Sequence, residues 1–345
     1  MTEFSPTYVD LRSDTVTRPT PAMRETMYRA EVGDDVYGED PTVNQLEEYA
    51  AHILGKEASL FVPSGTMANQ IAILTHTQRG DEIFIHRDNH IFYYEGGAAA
   101  MWAQATFNQL QGPEGLMSVD ELEASIRPRN IHHPNPRLLA LENTHNRAGG
   151  VALSRERLLP LIHVARQHNL RVHLDGARIA NAAVALKVDI RDLAEDVDSV
   201  SMCLSKGLGA PVGSVLAGTR EYVEQARIYR KWLGGGMRQA GIIAAAGIYA
   251  LDHHIERLAD DHLRAHKLAQ GLQSLGYRVD IPSIATNMVM VDLDVAAEKF
   301  AVALKSKGVL AGAMGPNRLR LVTHLDVNDE GVERTIESFS QLLSL

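Results

Sequence analysis

Two apolar runs of strand length constrain what this chain can fold into. One covers residues 170–175 and ends at Asp175; the other covers 198–206 and ends at Lys206, and glycine follows both. Further short apolar runs at 60–62, 82–86, 137–142 and 213–217 alternate with helix-patterned stretches such as 154–167 and 219–230. That βαβ rhythm predicts an α/β fold with a mainly parallel sheet and helices on both faces. In an open sheet of this kind the carboxyl ends of the strands converge on the ligand crevice. Asp175 and Lys206 are delivered there together.

An amine and a carboxylate at one crevice are what pyridoxal 5'-phosphate requires. The lysine forms a Schiff base with its aldehyde, and the carboxylate pairs with its pyridinium nitrogen. A phosphate site is available in Ser64-Gly-Thr66, a small polar turn between an apolar run and the helical pattern at 70–76. Such a turn offers free N–H groups and the positive end of a helix dipole. Alone it is a weak signal; in chain order with Asp175, Ser205 and Lys206 it gains weight. It matches neither a Walker motif nor a dinucleotide fingerprint.

Composition narrows the function classes. The chain has 345 residues, 45% of them hydrophobic, and a net charge of −9, which argues against a nucleic-acid surface. A single cysteine, Cys203, excludes an internal disulfide and suits a reducing compartment. It lies in the apolar run before Lys206 and reads as core filler. The start of the chain lacks a basic, apolar leader, and the small apolar run at 240–251 is too short to span a bilayer. The expected location is cytoplasmic, with no membrane partner.

Past about residue 250 the pattern changes. A long amphipathic helix is expected at 256–275, strands at 287–292 and 318–323, and helices at 295–307 and 329–345. The expected units are 1–250, a large domain with an N-terminal arm, and 251–345, a smaller C-terminal α+β domain. Pro19, Pro21, Gly33, Gly38 and Pro41 mark the first forty residues as irregular.

Several other side chains could serve the crevice. His90 follows the 82–86 run and could lie flat on a pyridine ring while titrating near neutrality. His132 and His133 precede the 137–142 run, so one of them could reach the site. Arg178 and Arg320 offer guanidinium forks suited to an amino-acid carboxylate. Lys231 and Arg238 flank three glycines and a small-residue helix, which reads either as subunit-interface material or as a tight interior turn. No carboxylate cluster in the sequence demands a metal.

With these residues assembled, the chain resembles the low-specificity L-threonine aldolases, pyridoxal-phosphate lyases of the aspartate-aminotransferase fold (fold type I). The likeness runs through the stretches 10–17, 32–42, 64–66, 141–146, 173–178, 203–207, 234–239 and 320–324. It implies Lys206 as the Schiff-base lysine, Asp175 on the ring nitrogen and His90 stacked on the ring. It implies Gly65 and Thr66 on the phosphate, and Ser13, Arg178 and Arg320 on the substrate carboxylate. His132 would approach the substrate hydroxyl, and Lys231 and Arg238 would enter the site of an adjoining subunit in a homodimer or homotetramer. The implied reaction is retro-aldol cleavage of L-threonine, L-allo-threonine and related β-hydroxy-α-amino acids to glycine and an aldehyde. A β-eliminating lyase or an aminotransferase on the same fold is the rival within enzymes. A cofactor-binding regulatory module would need a basic face, which this chain lacks.

Overall fold

A computed structural model describes residues 8–343. The first seven residues, on which the leader reading rested, and the last two of the expected 329–345 helix lie outside the described residues. A seven-stranded sheet forms the centre. Its strands in spatial order are Ala58–Val62, Ser214–Gly218, Ser199–Cys203, Arg171–Asp175, Asn135–Glu142, Asp81–His86 and Thr106–Leu110. Ser214–Gly218 runs against its two neighbours, and the other strands are parallel to one another. Register aligns Glu142 with Asp175 and Asp175 with Ser201, so the polar strand ends share one edge.

The inner strands are buried along almost their whole length. A parallel sheet covered on both faces needs apolar side chains on both, which is why these strands read as continuous apolar runs. Thr106–Leu110 escaped the sequence reading because it is an edge strand with mostly polar or half-buried residues.

The first forty residues are more regular than expected. Helix Pro21–Tyr28 has Thr20 as its N-cap and Pro21 at its first position, and helix Pro41–Leu54 starts the same way behind Asp40. Proline suits that position because its missing N–H would have no intrahelical partner there. These prolines start helices rather than break them. Both helices pack on Gly241–His253, whose alanines and glycines permit close approach.

Buried side chains form a large core around the central sheet and a second one at the C-terminal end. The second joins helices Leu258–Ser274, Ala297–Ser306 and Asp329–Ser340 to the antiparallel strands Met288–Asp292 and Arg318–Val322. Val9 and Leu11 belong to it as well, since Val9–Asp10 pairs in parallel with Val309–Leu310. We propose that these cores correspond to the two units expected from the sequence, with the arm crossing between them. First cleavage inside either core in limited proteolysis would refute that division. Among the described residues no helix is long and apolar enough to cross a membrane.

Candidate active site

Asp175 ends its strand at the carboxyl edge and is 1% exposed. Its Oδ1 accepts the Ala177 N–H at 3.0 Å, and its Oδ2 accepts from Asn69 Nδ2 at 2.8 Å. Burial by itself would raise the carboxyl, but the positive charges of His90 and Lys206 outweigh it and hold Asp175 below its usual range. Lys206 lies half-buried in the turn after Ser199–Cys203, beside Ser205, and its carbonyl accepts the Gly209 N–H at 2.8 Å.

Helix Gly65–His76 begins at the same edge, directly after strand Ala58–Val62, with Ser64 as N-cap. The Ser64 hydroxyl accepts the Met67 N–H at 3.2 Å. First-turn N–H groups have no intrahelical acceptor, so those of Gly65 and Thr66 suit a phosphate. A side chain at Gly65 would put its Cβ 2.7 Å from Cys203 Sγ, so only glycine lets the helix start so close to the lysine-bearing strand. Cys203 is buried and accepts a hydrogen bond from Ser214, in keeping with a core role.

His90 begins a short helix capped by Asn89. Its backbone N–H donates to Glu142 at 2.7 Å, and its ring Nδ1 lies 3.0 Å from Glu95. Burial lowers its affinity for a proton, but the Glu95 hydrogen bond and the charges of Asp175 and Glu95 carry it above the usual range for histidine. Asn69 joins the two sides of the site. Its Nδ2 donates to both Glu95 and Asp175 at 2.8 Å, while its Oδ1 meets Ser201 and His173 at 3.1 Å each. One ligand-capable atom each from His90, Glu95 and Asp175 lies within 4.8 Å of the others.

Two guanidiniums reach the crevice from other directions. Arg178, 5% exposed, donates from Nε and Nη2 to the fully buried Asp14 at 2.7 and 2.6 Å. Arg320 donates to Asn146 at 2.7 Å and to the Arg12 carbonyl at 3.2 Å; its Nε is buried without a partner. It pairs with no carboxylate among the described residues. Burial and the neighbouring Arg178 both lower its proton affinity. Two cations with a single carboxylate between them, that of Asp14 held by Arg178, leave room for an anion. Ser13, beside Asp14, is half-buried and uses its hydroxyl to cap the turn Asp14–Val16.

His132 corrects the sequence reading. It is exposed and precedes Asn135, at the amino end of the eight-residue strand Asn135–Glu142. A strand rises about 3.3 Å per residue, so the crevice lies roughly 25 Å away. Within one chain His132 does not meet His90 or Lys206. Lys231 and Arg238 are also exposed, Arg238 pairing with Asp34 at 3.0 Å, and neither joins the Asp175 network of its own chain. Sequence reasoning missed Asp14, Asn69, Glu95 and Glu142 as partners of the expected residues. Asp14 stood inside the 10–17 stretch, and Glu95 precedes paired glycines.

The donor set fits pyridoxal phosphate. A helix start suits the phosphate, a buried ionised carboxylate suits a pyridinium nitrogen, an imidazole suits a ring face, and a strand-end lysine suits an aldehyde.

Comparison with known proteins agrees. The beta-eliminating lyase family model matches residues 10–296. Low-specificity L-threonine aldolase 1 of Arabidopsis thaliana is 44% identical over 97% of this chain and 96% of its own length. Low specificity L-threonine aldolase of Escherichia coli strain K12 is 46% identical over 93% of this chain and 95% of its own. The chain belongs to the low-specificity L-threonine aldolase family. Its fold is shared with the Leishmania major threonine aldolase, at TM-score 0.84, 21% identity and coverage of 97% of this chain and 99% of that one. Sphingomonas wittichii serine palmitoyltransferase shares it too, at TM-score 0.77 and 19% identity over 97% of this chain and 86% of that one. The fold expected for a threonine aldolase, fold type I with a mainly parallel central sheet, is the one observed.

Proposed function

We propose that this chain is a pyridoxal-phosphate-dependent aldehyde-lyase that cleaves L-threonine, L-allo-threonine and related β-hydroxy-α-amino acids to glycine and an aldehyde. The observation that carries this reading is the convergence on one crevice of Lys206 and the buried Asp175 from the central sheet's edge and of Arg320, which pairs with no carboxylate among the described residues, from the C-terminal sheet. Membership of the aldolase family selects the reaction among those such a site supports.

Lys206 would hold the cofactor's aldehyde carbon, and Gly65 and Thr66, with Ser64 and Ser205 beside them, its phosphate. Asp175, held ionised, would pair with the ring nitrogen and favour its protonated form. When bound, the cofactor supplies the electron-poor ring that stabilises negative charge at the substrate's Cα. Arg320, the remaining edge of Arg178 and Ser13 would grip the substrate carboxylate and so orient the bonds at Cα. His90 would face the cofactor's ring and turn one nitrogen toward the β-hydroxyl, sharing its deprotonation with water. As the hydroxyl proton leaves, the oxygen's pair becomes the aldehyde carbonyl and the Cα–Cβ pair stays on the glycine carbon. Protonation at that carbon completes glycine.

A homodimer or homotetramer with shared sites is part of the proposal. Lys231 and Arg238 are exposed and join none of the Asp175 network's hydrogen bonds in their own chain, and the exposed His132 loop lies at the far end of its strand; a neighbouring copy's site is where they would act. An active monomer in sedimentation would rule this out. One buried cysteine suits a cytoplasmic setting; a mature protein recovered only from an oxidising compartment would not fit.

The family model also describes β-eliminating lyases, so the products decide. L-Threonine and L-allo-threonine should yield glycine and acetaldehyde in equal amounts. Release of 2-oxobutanoate and ammonia would assign the chain to β-elimination instead.

A further inference from the structure

His90 is held by a second carboxylate that the reaction outlined above does not use. Glu95 follows its short helix and precedes Gly96 and Gly97, both with positive φ. That turn, which a side chain would strain, folds Glu95 back into the protein, where its side chain is wholly buried. Its carboxylate accepts from Asn69 Nδ2 at 2.8 Å and Gln70 Nε2 at 2.6 Å, both on helix Gly65–His76, and faces His90 Nδ1 at 3.0 Å. The helix that would hold the cofactor phosphate therefore also fixes Glu95, and through Asn69 it ties Glu95 to Asp175.

We propose that Glu95 is a positioning residue that holds the His90 ring with its proton on Nδ1, leaving Nε2 as the nitrogen that exchanges a proton with the substrate's β-hydroxyl. This rests on the aldolase reading of the same site. A carboxylate oxygen only accepts, so the nitrogen facing it carries the hydrogen. An imidazole protonated at Nδ1 accepts at Nε2. In the cleavage direction Nε2 takes the hydroxyl proton while the oxygen's electron pair forms the aldehyde carbonyl. The Cα–Cβ pair stays with the glycine fragment. Nothing else needs oxidation or reduction.

The other groups facing His90 set its titration but not its tautomer. Asp175 favours the cation from the neighbouring strand end and Lys206 opposes it from the turn beyond Cys203. Glu142 touches only the backbone N–H, and the Tyr94 ring packs 5.4 Å away. Among the described residues Glu95 alone bonds the ring. Replacing it by glutamine removes a negative charge; the oxygen facing Nδ1 also accepts from Asn69, so the amide oxygen keeps that place and bonds Nδ1–H without the charge. An opposite charge at this range shifts a pKa by about 1–3 units.

The test uses holoenzyme labelled with ¹⁵N-histidine, the His90 signals being assigned by their loss in His90→Phe. Wild type should show the Nδ1–H form when neutral. Glu95→Gln should show a weaker preference for the Nδ1–H form, a His90 pKa lower by at least about one unit, and an acid limb of kcat/KM moved down with it. Its kcat on L-threonine should fall by about ten-fold or more, toward the ~10²–10⁴ range of a lost general base, with KM nearly unchanged. Cofactor affinity, followed by visible absorbance, should stay near wild type. A His90 titration and acid limb unchanged in Glu95→Gln would overturn the proposal. If that variant does not fold, an Nε2–H tautomer in the wild-type enzyme overturns it equally. Should the wild type fail to cleave L-threonine, the aldolase reading falls, while the tautomer still reports on Glu95.

Discussion

Arg178 cannot be read without Asp14. The fully buried carboxylate and the almost buried guanidinium form two hydrogen bonds, and the pair sits where a substrate carboxylate would bind. Burial disfavours charged Asp14, but Arg178 and then Lys206 hold it far below the usual carboxylate range. Because the folded pKa is depressed, the pair stabilises the protein above the unfolded carboxylate value of about 4 and loses that contribution as pH falls below it. Asp14→Asn leaves Arg178 buried and uncompensated, which should cost about 3–5 kcal/mol at pH 7. Urea unfolding of both proteins across pH should show the gap narrowing below about pH 4. An equal gap at pH 7 and pH 3 would mean the loss comes from packing and not from charge. At this scale the sequence pointed to the groups proposed to touch ligand and missed those that hold them. Asp175 ends a strand, Lys206 and His90 closely follow the ends of two others, and periodicity places strand ends. Asn69 and Glu95 act through contacts between residues 26 or 106 positions apart, which no local pattern encodes.

Helix Gly65–His76 organises the site more than any other element. Its first turn offers the phosphate N–H groups, and its second carries Asn69 and Gln70, which bind the two carboxylates on either side of His90. The helix must therefore start at one height above the sheet, and Gly65 sets that height by its approach to Cys203. Gly65→Ala would overpack this contact, at a cost of about 1–3 kcal/mol. Expressed in cofactor binding, that is a rise in Kd of roughly five- to a hundred-fold. Cys203→Ala added to Gly65→Ala removes the sulfur and should restore most of the affinity, measured by absorbance titration with pyridoxal phosphate. Failure of the double variant to recover would mean the methyl group blocks the phosphate directly. Inner strands and most helices were legible because an α/β sheet buried on both faces writes itself as apolar runs between helical repeats. The N-terminal helices were not, because their prolines read as breaks when viewed without the Thr20 and Asp40 caps that precede them.

The whole molecule places its chemistry between two hydrophobic cores. Asp175, Lys206, His90 and Gly65 come from the central sheet's edge, and Arg320 comes from the C-terminal sheet that packs with the arm. Asn146, beyond the central strand Asn135–Glu142, and Arg320, in the C-terminal sheet, are joined at 2.7 Å, so the proposed carboxylate grip would depend on how the two cores meet. Composition and pattern exposed the fold and the order of the site along the chain. The position of His132 was hidden, because adjacency to a strand does not say which end of the sheet a loop occupies. Everything proposed for this molecule turns on one lysine delivered opposite one carboxylate. The direct test is reduction of the holoenzyme with labelled borohydride followed by peptide mapping. The label should fall on the peptide containing Lys206, and Lys206→Ala should lose both the label and nearly all cleavage of L-threonine. Label on any other lysine, or full turnover without Lys206, would contradict the account.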